Sequence, residues 1–374
     1  MVVPSVRAWR FRDKTTYTCI LVLSKAANKR FEIGYVQDMN RFLFEHGTEC
    51  QSYVAPYLTR QPWAFLPQNI VKKLEQISNK CIPLSSLADI FVGVQTSADD
   101  IYIIHSERED DFYVYGHERS GSEIQIEKGI LRKSVYDAKL TCYEKVVANS
   151  FIIFPYKEVN GKPKLYTTEE MKQYFPCALA YLQRHRDVLD RRKMSRKNEN
   201  DWYAFGRSQS LRRFISGEHL IWPVLSLSSN YVYDNEQVVF TGGGNGPFYG
   251  LEMKRSTKVS IFYIQAVLNH WLMELLVKSK ASTFRGDYYS HGKQFIANLP
   301  IYNIDFDIPE ERVVHQQIVE TVRNIMQLKE QLLIAPNRAR RVVLERLIST
   351  ANNELNTLID GLYQVEAQEN EELE

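Results

Sequence analysis

The sequence predicts an α+β fold, a mixed β-rich region with helices that is followed by an antiparallel helical hairpin. Three observations predict it. Short apolar runs rich in β-branched and aromatic residues recur between polar turn clusters from Thr15 to Phe240. A few longer segments between them have helical length and one apolar face. From Val313 onward the apolar residues settle into spacings of three and four.

Thr15–Ser24 (TTYTCILVLS) reads as a buried strand, and Lys29–Val36 as a second one after a polar Ala-Ala-Asn-Lys turn. The two together read as a hairpin. A lone hairpin is not stable in water, so this pair ends a larger domain or docks as an edge on the next part of the chain. Pro62–Pro67 is a proline-bounded aromatic linker, and Asn69–Ser78 a short amphipathic helix. Leu84–Ile104 reads as a helical turn, a strand, a polar turn at Gln95–Asp100 and another strand. Short strands are expected near Phe112–Tyr115, Glu123–Ile126 and Ser150–Pro155.

Thr167–Lys193 reads as helical. Thr167 with Glu170 fits a capping box, and Pro176 opens a second, longer helix from Cys177 to Lys193. His219–Phe240 returns to strand-like runs, Gly242–Gly250 is a glycine-rich loop, and Ser260–Ser279 has helical length. One stripe then runs through Val314, Ile318, Val322, Ile325, Leu328 and Leu332. A second runs through Val343, Leu347, Ala351, Leu355, Leu358 and Leu362, after a break at Ala335-Pro336-Asn337. Two amphipathic helices so joined form an antiparallel hairpin. The tail from Glu366 carries five Glu and is expected to fray.

At 374 residues the chain is long enough for two or three domains. With 22 Tyr and 18 Phe, it is too rich in aromatics for a disordered chain. Its net charge of +2 does not mark a nucleic-acid binder, so any basic surface has to come from local clustering. The five cysteines (Cys19, Cys50, Cys81, Cys142 and Cys177) show no paired spacing, which excludes a zinc-finger pattern and fits a reduced intracellular protein. No apolar run spans a bilayer and no signal pattern opens the chain. A cytoplasmic protein without a membrane partner is expected.

Three constellations are candidates for binding. Arg184 to Arg213 holds ten Lys and Arg against four Asp and Glu. Arg191, Arg192, Lys193, Arg196 and Lys197 come first, then Arg207, Arg212 and Arg213, interleaved with Trp202, Tyr203 and Phe205. Cations meet phosphates and aromatic planes stack on bases, so this mixture suits nucleic acid. It also fits a solvated helix end followed by a polar loop. The second is Thr241–Gly250 (TGGGNGPFYG), where Gly242, Gly243, Gly244 and Asn245 allow close backbone approach to a phosphate or groove edge. It lacks the Gly-Lys-Ser/Thr of a nucleotide-binding loop, and a tight turn would look the same. The third is Thr283–Leu299, with Arg285, Tyr288, Tyr289, His291, Lys293 and Gln294 among glycines. Arg reads guanine and Gln reads adenine in a major groove, although an ordinary polar loop has this composition too.

Asp234 followed by Glu252-Met253-Lys254 imitates a metal-dependent nuclease motif. The match is short and degenerate. Adenine methyl transfer needs a cofactor pocket and an Asn/Asp-Pro-Pro-Tyr/Phe loop for the flipped base. Neither pattern occurs, so no catalytic, cofactor-binding or metal-ligating residue is assigned.

Taken in order, these marks resemble the TaqI-like C-terminal specificity domain that follows the catalytic domain of many adenine-specific DNA methyltransferases and fused restriction–modification enzymes. The resemblance rests on Leu87–Thr96 with Ile101–Ile104, and on Leu131-Arg132-Lys133, where the family's Leu-Arg-Pro has proline. It also rests on Trp202–Arg207, Thr241–Gly250, Ser290–Ile296 before Leu299-Pro300-Ile301, and Ile359–Tyr363. It implies double-stranded DNA and a methyltransferase catalytic domain, in cis or trans, as partners. S-adenosylmethionine is then the cofactor of the parent enzyme, not of this chain.

Thr15–Ser24 is similar to the last strands of such catalytic domains. The expected division is 1–48 as the end of the methyltransferase domain of a truncated or split enzyme, 49–83 as linker and short helix, 84–305 as target recognition, 306–365 as helical hairpin and 366–374 as acidic tail. An assembly subunit acting through protein contacts, and a hidden nuclease, are the competing expectations.

Overall fold

A computed structural model describes residues 2–4, 21–22, 24–25, 28–36, 44, 50–54, 65–118, 121–192, 201–242, 247–281, 283–284 and 288–366. The fold is α+β, with small sheets and helices sharing two adjoining hydrophobic cores. Most of the expected Thr15–Ser24 strand lies outside the described residues, and Leu21, Val22 and Ser24 are not in a strand. Arg30–Val36 is a strand, as expected. Its described partners are Val2–Pro4, parallel, and Cys50–Val54, antiparallel. The segment expected to be linker therefore begins with a strand. Its five residues bury little beyond Tyr53, which stacks on Phe31 at 5.6 Å, so no alternating pattern advertised it.

The central sheet has four antiparallel strands in the order Val232–Asp234, His219–Pro223, Phe248–Met253 and Ala88–Val92. Both faces are covered, and successive side chains of a strand point to opposite faces. Ile90, Leu220, Trp222, Tyr231 and Leu251 enter one core. Phe91, Ile221, Val232 and Phe248 enter the other. Full burial of each such side chain is worth roughly 1.5–3 kcal/mol. A one-residue slip would exchange the two sets, so the register is strongly specified.

Behind one face lie the helices Ile261–Leu268 and Trp271–Lys278 and the C-terminal hairpin. The expected single helix over Ser260–Ser279 is broken at Asn269-His270. Asn269 brackets Tyr231, accepting from its amide nitrogen and donating to its carbonyl at 2.9 Å each. His270 then caps the next helix by accepting from the Leu272 amide.

The hairpin comprises Pro309–Leu333 and Arg338–Tyr363, with Asn337 capping the second helix through the Arg340 amide at 2.9 Å. Tyr363 locks it to the strand Pro300–Tyr302: its hydroxyl donates to the Pro300 carbonyl at 2.8 Å and accepts from the Tyr302 amide at 2.9 Å.

Against the other face packs a second sheet, ordered Val239–Phe240, Leu131–Val135, Ser150–Ile153 and Ile103–Ile104. The capping box is present: Thr167 Oγ1 accepts from the Glu170 amide at 3.2 Å, and Glu170 accepts from the Thr167 amide at 2.9 Å. The expected long second helix is two, Pro176–Arg184 and Arg186–Asp190, bent at His185 so that Leu189 still reaches the core.

The two sheets are joined where Val92–Gln95 crosses Phe240–Gly242. The Val94 amide donates to the Phe240 carbonyl at 3.0 Å, and the Gly242 amide to the Val94 carbonyl at 2.8 Å. A Cβ on Gly93 would lie 2.2 Å from the Phe240 oxygen, and one on Gly242 would lie 2.4 Å from the Gly93 nitrogen.

Overpacking a close contact costs on the order of 1–3 kcal/mol, so Gly93→Ala and Gly242→Ala should each lower the urea midpoint. Gly361→Ala should have the opposite sign. It lies exposed in a helix with nothing within 4 Å of the added carbon, and should gain about 0.5–1 kcal/mol.

A second prediction concerns pH. His315 is buried, accepts from the Ser260 amide at 3.1 Å and contacts the rings of Tyr263 and Phe306. Burial holds its pKa below the ordinary 6.5. Stability from this group is full above the unfolded value and is lost as pH falls through the folded one. Between about pH 7.5 and about pH 5.5 the unfolding midpoint should therefore drop, and by less in His315→Gln.

Candidate nucleic-acid interface

The backbone crossing at Gly93 and Gly242 places several loops side by side. Gln209 donates its side-chain amide to both the Gly93 and the Gly242 carbonyls, at 3.0 Å each. Next to it the Gln95–Asp100 turn closes on itself. Thr96 is fully buried, its hydroxyl donates to the Asp99 carboxylate, and its oxygen accepts from the Ala98 amide at 3.0 Å. Gly206 and Arg207 donate their amides to the Thr96 and Gln95 carbonyls, at 3.0 and 3.1 Å.

Ser97, Asp137 and Ser210 all have positive φ, at 57°, 48° and 58°. Non-glycine residues held there gather at sites that place side chains for a purpose.

Two concavities open along this edge. One, of about 600 Å³, lies between the Gln95–Asp100 turn, Tyr136-Asp137 and Gly242. The other, of about 790 Å³, reaches from Asp137 and Pro247 to Phe284 and Gln294. They share Asp137 and Pro247, and so form one strip. Asn149 holds the dividing wall, donating to the Tyr136 carbonyl at 2.6 Å and accepting from its amide at 2.9 Å. Each of the three sequence constellations reaches this strip: the first through Arg207 beside Gln95, the second through Gly242, the third through Gln294.

Within the basic cluster the side chains divide. Arg191, Arg207 and Arg212 are exposed. Arg192 is not available to a phosphate. It is buried, and its guanidinium donates to the carbonyls of Leu189, Thr96 and Trp202 at 3.0, 2.7 and 2.8 Å. Arg213 is committed to Asp89 and Glu252. Trp202, Tyr203 and Phe205 are buried core residues, not stacking platforms: Tyr102, Phe154 and Tyr156 surround Phe205, and Trp202 packs edge-on against Tyr203. Lys193, Arg196, Lys197, Gly243, Gly244, Asn245 and Arg285 lie outside the described residues.

In the third constellation Tyr288 is exposed, and Lys278 sits over the Tyr289 ring at 5.4 Å. Lys293 is exposed while donating to the Ile90 carbonyl at 3.3 Å, and Gln294 is exposed. His291 is a brace and not a contact. It is buried, one ring nitrogen meets Glu274 at 3.1 Å, the other meets the Tyr289 carbonyl at 3.2 Å, and its own carbonyl accepts from Trp222 Nε1 at 2.9 Å. Burial raises the Glu274 carboxyl, but His291, Ser229 and Lys278 outweigh it and hold it below its ordinary value.

The nuclease-like carboxylates are also occupied. Buried Asp234 accepts from the Glu236 and Val238 amides at 3.0 Å each, and Glu252 pairs with Arg213. Among the described residues no group of three His, Cys, Asp or Glu could hold a metal, and no helix is long and apolar enough to cross a membrane.

Sequence reasoning missed Tyr136, Asp137 and Phe284, and treated Gln95–Asp100 only as a turn. The signal there was two aspartates beside small polar residues, which any surface turn can carry.

The strip lies largely on a segment with a known likeness. Residues 166–301 match the family model of the TaqI-like C-terminal specificity domain. The strand Ala88–Val92 precedes that match, yet pairs with Phe248–Met253 inside the matched segment.

The chain is 28% identical over 368 residues to the type II restriction enzyme and methyltransferase RM.Eco57I of Escherichia coli, covering 94% of this chain and 36% of that protein. It is 23% identical over 312 residues to the type II methyltransferase M.BanIII of Aneurinibacillus aneurinilyticus, covering 81% and 48%. It is 20% identical over 267 residues to the type II methyltransferase M.BstVI of Geobacillus stearothermophilus, covering 70% and 42%. The chain thus spans about a third to a half of the length of these curated relatives.

The contrast between neighbours Arg191 and Arg192 is testable. Arg192→Ala strips charged donors from three carbonyls and should cost on the order of 2–4 kcal/mol. Arg191→Ala should stay within about 0.5 kcal/mol of the parent, as an exposed substitution. Equal urea midpoints for the two variants would contradict the assignment of Arg192 as the brace.

Proposed function

We propose that this chain reads the DNA target of an adenine-specific methyltransferase in a restriction–modification system. One observation carries the reading: the TaqI-like specificity domain holds most of a concave strip on which three candidate DNA-contacting constellations converge. Exposed Arg191, Arg207 and Arg212 supply phosphate contacts that hold register. With them we group Lys193, Arg196 and Lys197 of the same basic run. Gly242 to Asn245, Arg285, Tyr288, Lys293 and Gln294 supply contacts nearer the bases.

Methyl transfer from S-adenosylmethionine, in this reading, is the work of a catalytic domain in cis or trans. The two sides close around duplex DNA. Recognition belongs to 84–305, and the hairpin at 306–365 braces it from behind the central sheet.

Phosphate contacts release counterions, so affinity falls with salt by a log–log slope of about −0.9 per contact on B-form DNA. The combined variant Arg191→Ala, Arg207→Ala, Arg212→Ala should bind a duplex more weakly and with a slope shallower by about 2–3. Fluorescence anisotropy from about 50 to about 200 mM salt measures this. An unchanged affinity and slope would remove these residues from the interface.

A further inference from the structure

The free end of the C-terminal hairpin departs from the amphipathic pattern of its helices. Leu333 and Ile334, where the first helix closes, are 69% and 82% exposed. Val342, Val343 and Leu347 on the second helix are exposed as well. Arg338, Arg340, Arg341 and Arg346 stand among them, with Glu345 as the one acid between 338 and 346. No acidic residue stands in the first turn of Arg338–Tyr363. A helix N-terminus favours acids and disfavours cations, so the arginines there cost the helix stability and answer to something outside it. An exposed apolar patch set with arginines suits an acidic partner that has an apolar or aromatic tip.

The chain itself carries such a tip. Phe112 is 73% exposed at the turn between the strands Arg108–Glu109 and Tyr113–His117. Glu109, Asp110 and Asp111 precede it. The turn is braced from within. Asp110 accepts from the Phe112 and Tyr113 amides at 2.8 and 2.7 Å, and from the Tyr115 hydroxyl at 2.7 Å. The Phe112 carbonyl accepts from the Lys128 amide at 2.8 Å. An aromatic residue on so fixed a turn loses little freedom when it binds.

Both features border one concavity of about 730 Å³. Arg108 and Glu109 of the acidic turn line it, and so do Lys145 and Val147. Val147 is itself 69% exposed. Lys329 ties the hairpin to this segment, donating to the Cys142 carbonyl at 2.8 Å and meeting Glu144 at 3.5 Å. Leu333 follows Lys329 by little more than one helical turn. Among the described residues this concavity shares no lining residue with the strip.

We infer that a second copy of this chain docks here about a two-fold axis, with the Phe112 turn of each copy on the hairpin end of the other. Charge decides the pairing. Two hairpin ends repel through their arginines, and two acidic turns through their carboxylates. A surface acidic at one end and basic at the other is self-complementary under a two-fold rotation, which makes the same contact twice. Phe and Arg are also among the residues that interface centres favour. Such docking goes beyond DNA binding and does not require it.

Sedimentation velocity on the full chain, from about 1 to about 100 µM, tests the dimer. The parent should form a dimer that dissociates on dilution and weakens with salt. Asp111→Arg and Arg341→Asp should each weaken it by at least about tenfold, because each sets like charges together. Both positions are exposed, and an acid at 341 suits a helix N-terminus, so loss of folding does not confuse the result. An equal mixture of the two variants should dimerise again, since one copy is then basic at both ends and the other acidic at both.

A parent that stays monomeric throughout would overturn the dimer and leave the patch to a different partner. If Arg341→Asp then lowered duplex affinity, that partner would be DNA. A dimer indifferent to both substitutions would overturn this face as its seat. Two monomeric variants that fail to dimerise when mixed would overturn the reciprocal pairing.

Discussion

The structure depends on two glycines that let two backbones touch. Gly93 and Gly242 bring Val92–Gln95 and Phe240–Gly242 into contact at a separation no Cβ would allow. The half of the strip lined by the Gln95–Asp100 turn hangs from this crossing. The Gln95–Asp100 turn leaves it directly, and Gly242 ends at the mouth of the smaller concavity. Gln209 clamps both carbonyls, and Arg192 ties the turn to the Trp202 loop from within. A buried polar network of this kind is useful only when every member is satisfied. Here each of the three guanidinium nitrogens donates to a carbonyl, so its charge is spent on rigidity and not on ligand binding.

The crossing in turn requires the two-faced sheet behind it. Ala88–Val92 leads directly into Gly93, and its register against Phe248–Met253 is set by which residues enter which core. Gly250 lies in that register opposite Phe91, where a Cβ would sit 2.3 Å from the ring. Glycine thus serves twice along one path, once to admit an aromatic ring and once to admit a backbone. The C-terminal helices back the opposite face, so the loops of the strip stand on a scaffold packed on both sides. Sites carried by such scaffolds hold their geometry better than sites on free loops.

Local signals in the sequence survived translation into structure, and long-range ones did not. The Thr167–Glu170 capping box and the Ala335–Asn337 break were legible because each involves a few adjacent residues and a strong backbone preference. The breaks at His185 and Asn269 were not legible. Both interrupt good helical periodicity for the sake of partners distant in sequence, Tyr231 in the case of Asn269. The interface was half legible for the same reason. Composition marked Arg191 and Arg192 as equals, yet one is exposed and the other buried. His291 looked like a groove reader and proved to be a support, because Glu274 and Trp222 come from elements remote in sequence. Asp137 carried no signal at all, since its significance lies in a backbone angle and a neighbour twelve residues on.

A net charge of +2 also acquires a physical sense in the proposed function. A duplex interface has to attract phosphates without holding every sequence equally. Uniformly positive surface does the first and spoils the second, because nearly all non-specific affinity is electrostatic. This chain sets exposed Arg191 and Arg207 against a strip whose walls carry Asp99, Asp100 and Asp137. Those carboxylates oppose close approach of a phosphate. The one feature of DNA they welcome is an exocyclic amino group, which adenine and cytosine present in the major groove and guanine only in the minor groove. The arrangement sacrifices general affinity and makes the remaining affinity depend on which bases stand opposite the strip. That trade belongs to a module that selects a target, and it needs the rigid crossing beneath it, since a repulsive wall discriminates only when it cannot move aside.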